Sequence, residues 1–218
     1  VIASLNGSTP GGWVRYARLC ENAGADAIEL NVYAVEADPT TDGGVVERRL
    51  LELTREVRAA VSVPLAVKLG PFYSAFANVA TRLADAGVDG LTCFNRFLGP
   101  DLDLEAMRVE PTIRLSTSDE LRLVLRWLAI LRNRVPIDLA ATGGIHDADD
   151  AVKAILAGAD VVMLASTLLR NGPSRLTQIR AGIVDWLAER EYSSTDQARG
   201  SMSQAAGPDP AAFERAQY

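Results

Sequence analysis

Apolar residues follow two alternating patterns along the chain, namely short continuous runs and longer stretches with a period of three to four. The runs predict buried strands at residues 1–5, 27–33, 64–70, 90–95, 136–142 and 160–166. The longer stretches predict amphipathic helices near residues 13–23, 45–61, 76–83, 120–132, 147–156 and 173–190. Six β–α units in series indicate a parallel sheet covered by helices.

The phrases NAGADAIEL, DAGVDGLTC and LAGADVVML repeat one device, in which a glycine ends a helix just before a strand. Right-handed crossovers then leave either a doubly wound sheet or a (β/α)8 TIM barrel. Because the chain opens within a strand at Val1, we expect two further strands upstream and favour the last six units of a barrel. A complete open sheet is the alternative. We assign 1–191 to the partial barrel and 192–218, which lacks periodicity, to a C-terminal surface tail.

Composition narrows the functional classes. The 218 residues carry a net charge of −6, which argues against nucleic-acid and anionic-membrane surfaces. Cys20 and Cys93 form neither a disulfide framework nor a zinc pattern, and no other metal site is predicted. There is no apolar stretch long enough to span a bilayer and no signal-peptide pattern, so we expect a cytoplasmic protein.

Lys68 lies inside the apolar run PLAVKLG, and it is one of two lysines in the chain. An ammonium group at the end of a buried strand is costly unless an anion or carbonyl groups meet it. The alternative is a side chain that reaches out to solvent.

Polar and small residues follow successive strands at their carboxyl ends, where a barrel carries its function. They include Glu29, Asn31, Lys68, Asn95 and Arg96. Asparagine amides both donate and accept hydrogen bonds, and a lysine stabilises charge on a nearby ring. This combination suits a flat, hydrogen-bonding ligand such as an isoalloxazine ring.

The last two units indicate a phosphate site. Gly143 and Gly144 directly follow the fifth predicted strand, and Ser166 and Thr167 lie at the end of the sixth. Glycine lets backbone N–H groups approach an anion, and the loops after the final two strands of a barrel are its usual phosphate site. Two ordinary tight turns are the alternative.

The segments SLNG, AIELNVY, PLAVKLGPF, CFNRF, ATGGIHDADDAVKAILAGAD and VMLASTLLRNGP resemble the dihydroorotate dehydrogenase family, and RGSMSQAAGPDPAAFERAQY resembles the C-terminal stretch of its dehydrogenase-like subgroup. The resemblance implies an FMN-dependent barrel that oxidises dihydroorotate or a related small substrate in pyrimidine biosynthesis. It also implies an electron acceptor and a homodimer. The implied cofactor residues are Asn31, Lys68, Gly143, Gly144, Ala165 and Ser166, and the implied substrate residues are Asn31, Asn95 and Arg96.

One departure from the family pattern concerns the catalytic base. Ala34 stands where a cysteine or serine base is expected, and Glu36 where an asparagine is expected. Loss of a general base lowers a rate by roughly 10²–10⁴-fold. Tyr33, Glu36 and Asp38 are the candidate replacements in the same loop, although a packing or surface role is favoured for each, since loop carboxylates are usually solvated.

Three functions remain open. The first is an FMN-dependent dehydrogenase acting on a CH–CH bond. The second is a flavin-free, phosphate-binding lyase or isomerase that uses Lys68 as a Schiff-base or electrostatic residue. The third is a non-catalytic flavoprotein subunit. In addition, His146 is expected at a turn or phosphate edge, and residues 100–116 are expected to form a hairpin over the site.

Overall fold

Six parallel strands form one sheet in the computed structural model, which describes residues 1–96 and 99–215. The strands of the chain are β1 (Ile2–Leu5), β2 (Ala27–Asn31), β3 (Leu65–Leu69), β4 (Gly90–Cys93), β5 (Asp101–Asp103), β6 (Arg108–Glu110), β7 (Asp138–Thr142) and β8 (Val161–Met163). β5 and β6 pair with each other as an antiparallel hairpin, which confirms the predicted one. The other six pair in chain order, without the reversal that marks a doubly wound sheet.

Helices connect the strands of the sheet. They are α1 (Pro10–Asn22), α2 (Gly43–Arg58), α3 (Phe76–Asp85), α4 (Leu121–Leu131), α5 (Ala148–Ala157), α6 (Ser166–Asn171), α7 (Ser174–Glu189) and α8 (Thr195–Ala198), with 3-10 turns at Ser118–Glu120 and Pro210–Phe213. The sixth strand was predicted too long, because β8 ends at Met163 and Ser166 begins the unpredicted helix α6. Helix α1 begins three residues earlier than predicted, since the Thr9 side chain accepts a hydrogen bond from the Gly12 N–H.

The sheet has an apolar face and a polar face. Leu30, Val67 and Leu91 are Cα partners across β2, β3 and β4, and all three are buried in the core with the helices. The next register position carries Asn31, Lys68 and Thr92 in the same order. Because side chains alternate between the faces of a strand, these polar residues share the opposite face, which is the inner face of a barrel.

Both outer strands of the sheet carry exposed apolar residues. Ile2 on β1 is 63% exposed and Val161 on β8 is 49% exposed. These are the edges at which a closed barrel continues with further strands. Together with the strand order, they show that the sheet is the larger part of a (β/α)8 barrel.

The C-terminal segment, residues 192–215, packs against the outer surface of the helix layer. The Gly200 N–H donates to the Ile155 carbonyl and the Gln204 N–H to the Ala129 carbonyl. Ser203 and Gln204 are buried. The predicted surface tail therefore packs on α4 and α5, whereas residues 216–218 lie outside the described residues.

Candidate functional site

Asn31 and Lys68 lie side by side at the carboxyl ends of β2 and β3. They are direct register partners, and both are half-buried. Asn31 Oδ1 is buried and has no hydrogen-bond partner in the described part of the chain. No carboxylate within the described ranges forms an ion pair with Lys68, whereas the other lysine, Lys153, pairs with Asp150. An acceptor and a cation are therefore both available to a ligand at this end of the sheet.

Asn95 joins these two strands. Its Nδ2 lies 3.3 Å from the Lys68 carbonyl oxygen and 3.5 Å from that of Val32, and its backbone N–H donates to the Leu69 carbonyl at 2.7 Å. The amide nitrogen thus fastens the ends of β2 and β3. These contacts use Nδ2 and leave Oδ1 as the remaining polar atom of the side chain.

Arg96 is directed away from this group. Its guanidinium pairs with Glu120, in the turn that precedes α4. It also lines a cavity of about 540 Å³ beside the hairpin, together with Asp101 and Arg114. The structure therefore brings Asn31, Lys68 and Asn95 together and leaves Arg96 at the rim.

The loop after β7 presents open backbone. Gly143 has a φ of +92°, and a Cβ atom built on it would meet nothing within 4 Å. Gly144 has a φ of +76°, and its Cβ would lie 2.4 Å from the Leu121 backbone nitrogen. Gly144 is therefore required by packing against α4, whereas Gly143 leaves space above the strand end that an anion could fill.

A loop crosses the ends of the last two units. Ser166 Oγ accepts a hydrogen bond from the Ser116 N–H at 3.0 Å, and Ser116 Oγ lies 3.1 Å from His146 Nε2. The His146 carbonyl accepts two hydrogen bonds from Arg175. His146 thus occupies the predicted turn and links it to this loop. Ala165, which precedes α6, is exposed.

None of the three candidate bases is poised to accept a proton. Burial raises the pKa of the Tyr33 phenol, which keeps it protonated at neutral pH. Hydrogen bonds from Thr40 lower the pKa of the Asp38 carboxyl, which weakens it as a base. Glu36 is paired with Arg49 at 2.9 Å. Their environments therefore do not single out a replacement for the missing cysteine or serine.

Sequence reasoning included Glu29 among the polar strand-end residues without giving it a role, and it missed Thr92. Glu29 is buried and accepts hydrogen bonds from the Ser4 and Thr92 hydroxyls at 2.9 and 2.8 Å. The signal for Glu29 was a carboxylate inside an otherwise apolar strand. Thr92 gave no comparable signal, because threonine is common in strands.

Two features of other protein classes are absent from the described residues, namely a metal-binding cluster and a membrane-spanning helix. No group of three or more histidine, cysteine or acidic side chains is arranged to hold a metal ion in the described ranges. Among the helices described, none combines the length and apolarity that crossing a membrane requires.

Known proteins resemble this chain along most of its length. Residues 1–187 match the family model described as dihydroorotate dehydrogenase. Relatives named "Dihydroorotate dehydrogenase B (NAD(+)), catalytic subunit" come from Shouchella clausii (29% identical, covering 94% of this chain and 69% of the relative), Methanothermobacter thermautotrophicus (28%, 92% and 68%) and Halalkalibacterium halodurans (31%, 76% and 56%). The chain thus spans between about half and two thirds of the length of these relatives. The match over residues 1–187 shows that the chain belongs to the dihydroorotate dehydrogenase family.

Proposed function

We propose that the chain is the FMN-binding barrel of an oxidoreductase that acts on a CH–CH bond of dihydroorotate or a closely related small substrate. One observation carries the proposal. Lys68 and Asn31 offer an ammonium group and an amide oxygen that have no partner among residues 1–96 and 99–215, and they share the sheet end with the open glycine turn at Gly143. A ligand with a polar ring and an anionic tail would satisfy both places.

The residues present fit FMN. The N–H groups at Gly143 and Gly144 would hold its phosphate, with Ala165 and Ser166 on the neighbouring unit. Lys68 and Asn31 would contact its ring, because an ammonium and an amide match ring carbonyl and nitrogen atoms. When bound, FMN supplies the capacity to accept a hydride from carbon.

The side chains of this sheet end have defined tasks in that proposal. The Lys68 ammonium stabilises negative charge in its neighbourhood, in a half-buried setting where water screens it weakly. Asn31 and Asn95 orient the substrate through amide hydrogen bonds, and Asn95 also links the ends of β2 and β3 through its bonds to the Val32 and Lys68 carbonyls. The proton acceptor for the reaction is not supplied by Ala34, so we expect slow turnover of dihydroorotate.

Matched glycine variants test the phosphate site. Gly143→Ala places a methyl group in the proposed cradle, and Gly24→Ala provides the control because Gly24 has the same φ of +92° and equally open surroundings. Both variants should lose about 1–2 kcal/mol of stability from the left-handed backbone. Only Gly143→Ala should weaken FMN binding, by at least about tenfold, as followed by flavin fluorescence quenching.

Two results would count against this proposal. The first is purified protein that shows no flavin absorbance at about 450 nm and takes up no added FMN, which would rule out the proposed function. Equal FMN affinities in the two glycine variants would remove Gly143 from the phosphate site even if FMN binds elsewhere.

The acceptor and the assembly are also proposals. Relatives carry NAD(+) in their names, so NAD⁺ is the first electron acceptor to test. A homodimer follows from the resemblance to the family and is tested by sedimentation of the intact protein.

A further inference from the structure

Glu29 is a buried carboxylate for which the proposed function has no task. Its residue is 5% exposed, and it lies on the inner face of the sheet. Ser4 on β1 and Thr92 on β4 both donate hydroxyl hydrogen bonds to it, so its side chain extends past β3. Two neutral donors only partly offset the free-energy cost of removing water from a carboxylate, and a nearby cation would offset the remainder.

Lys68 is the one cation available on the same face. The six strands of the sheet contain three charged residues, Glu29, Lys68 and Asp138, and Asp138 is exposed at the start of β7. Thr92, which donates to Glu29 at 2.8 Å, is the register partner of Lys68. Glu29 and Lys68 form no direct ion pair in the described structure. Glu29 is level with Ala66, two residues before Lys68 on β3, so the two charges occupy adjacent levels of the barrel interior and are linked through Thr92.

We propose that Glu29 is a positioning residue that sets the electrostatic effect of Lys68 on the ligand ring. Its negative charge opposes the field of the ammonium, and its bond to Thr92 fixes the wall beside the lysine. The inference rests on the proposed function, because the ring is that of FMN. Reduction increases the electron density of the ring, so a carboxylate beneath Lys68 holds the reduction potential of the bound flavin down.

The charge is tested by Glu29→Gln, which keeps the shape of the side chain. The measurement is the midpoint potential of FMN bound to the full protein, determined by dye-linked reductive titration. We expect the variant to favour reduced over oxidised FMN about tenfold more than the wild type does, which raises the potential by about 30 mV for a two-electron couple. Glu47→Gln is the control, since Glu47 is a half-buried carboxylate paired with Arg82 on the outer helices.

A double-mutant cycle separates positioning from structural support. Glu29→Gln is repeated in a Lys68→Gln background, and the change in potential should be smaller there because the coupled charge is gone. A merely structural glutamate would lower the melting temperature and leave the potential unchanged. A glutamate that acts on the ring independently of Lys68 would change the potential equally in both backgrounds. Either of these results would overturn the inference.

The outcomes distinguish this inference from the proposed function. If wild-type protein binds no FMN, the proposed function fails first. If FMN binds and Glu29→Gln has the wild-type potential, only the role of Glu29 fails. Should Glu29→Gln not fold, Glu29→Asp withdraws the carboxylate by one methylene group, and its potential must then rise above that of the wild type for the inference to stand.

Discussion

At the scale of single residues, the unusual features of this chain are charges placed on an otherwise apolar sheet. Lys68 and Glu29 lie on its inner face, and the buried Asn31 Oδ1 has no partner in the part of the chain described. Buried polar atoms without partners are rare in folded proteins, and they often mark a site that a ligand completes. These polar residues therefore form the candidate site, whereas the apolar residues of the sheet stabilise the fold.

Ala34 provides a direct test of the missing base. Ala34→Cys restores the residue type that the family pattern leads us to expect, in an exposed loop that tolerates it. A thiolate that accepts the proton should raise dihydroorotate oxidation by roughly 10²–10⁴-fold. The measurement is turnover with a dye acceptor, with Ala34→Ser alongside. No gain in either variant would mean that the substrate is not dihydroorotate or that another residue takes the proton.

Cys93 should be chemically silent despite its place on β4 near the site. It is fully buried, and burial raises the pKa of its thiol far above neutral pH, so almost no thiolate is present. Cys20 is half-buried on α1. A disulfide reagent should therefore label at most one thiol in the native protein and none in Cys20→Ser. Rapid labelling of native Cys20→Ser would show that Cys93 is accessible.

At the scale of elements, the repeated GAD and GVD phrases have a structural explanation. Asp89 and Asp160 stand just before β4 and β8. Each carboxylate accepts a backbone N–H near the start of the preceding sheet strand, from Leu65 on β3 and from Leu139 on β7, both at 2.8 Å. Each also binds an arginine, Arg58 for Asp89 and Arg132 for Asp160. One aspartate thus ties two strands and a helix end together at the base of the barrel.

Asp160→Ala tests this device. Asp160 is 15% exposed and serves Leu139, Arg132 and Arg199 at once. Its loss should lower the free energy of unfolding by about 2–4 kcal/mol, because buried donors are left without an acceptor. Urea unfolding gives the value. Asp196→Ala is the control, because Asp196 is an exposed partner of Arg199. This variant should change the free energy of unfolding by less than about 0.5 kcal/mol.

Sequence patterns predicted every strand of the sheet but extended several too far at the carboxyl end. Polar residues such as Asn95 lie beyond the paired part of the strand and bond to neighbouring strand ends instead. Hydrophobic periodicity does not detect where this pairing stops. The pairing of Arg96 with Glu120 depends on where α4 docks, and it was not predictable from strand position. The hydrogen bonds of Glu29 were not predictable because its partners, Ser4 and Thr92, lie 25 and 63 residues away along the chain.

At the scale of the whole molecule, the sheet order and the match over residues 1–187 place the chain in a family of barrels. The carboxyl ends of its strands bring a cation, two amides and an open glycine turn to one end of the sheet. Such convergence at one end is the general property of barrels that lets chemistry change through loops while the sheet stays constant. The substitution of the expected base by Ala34 is a change of that kind.

The most direct test of the account is a crystal structure of the intact protein grown with FMN. We expect the FMN phosphate to lie within hydrogen-bond distance, about 2.7–3.2 Å, of the Gly143 and Gly144 N–H groups. We expect the flavin ring to lie beside Lys68 Nζ and Asn31 Oδ1. An FMN bound elsewhere, or a Lys68 ammonium turned away from the ring into solvent, would contradict it.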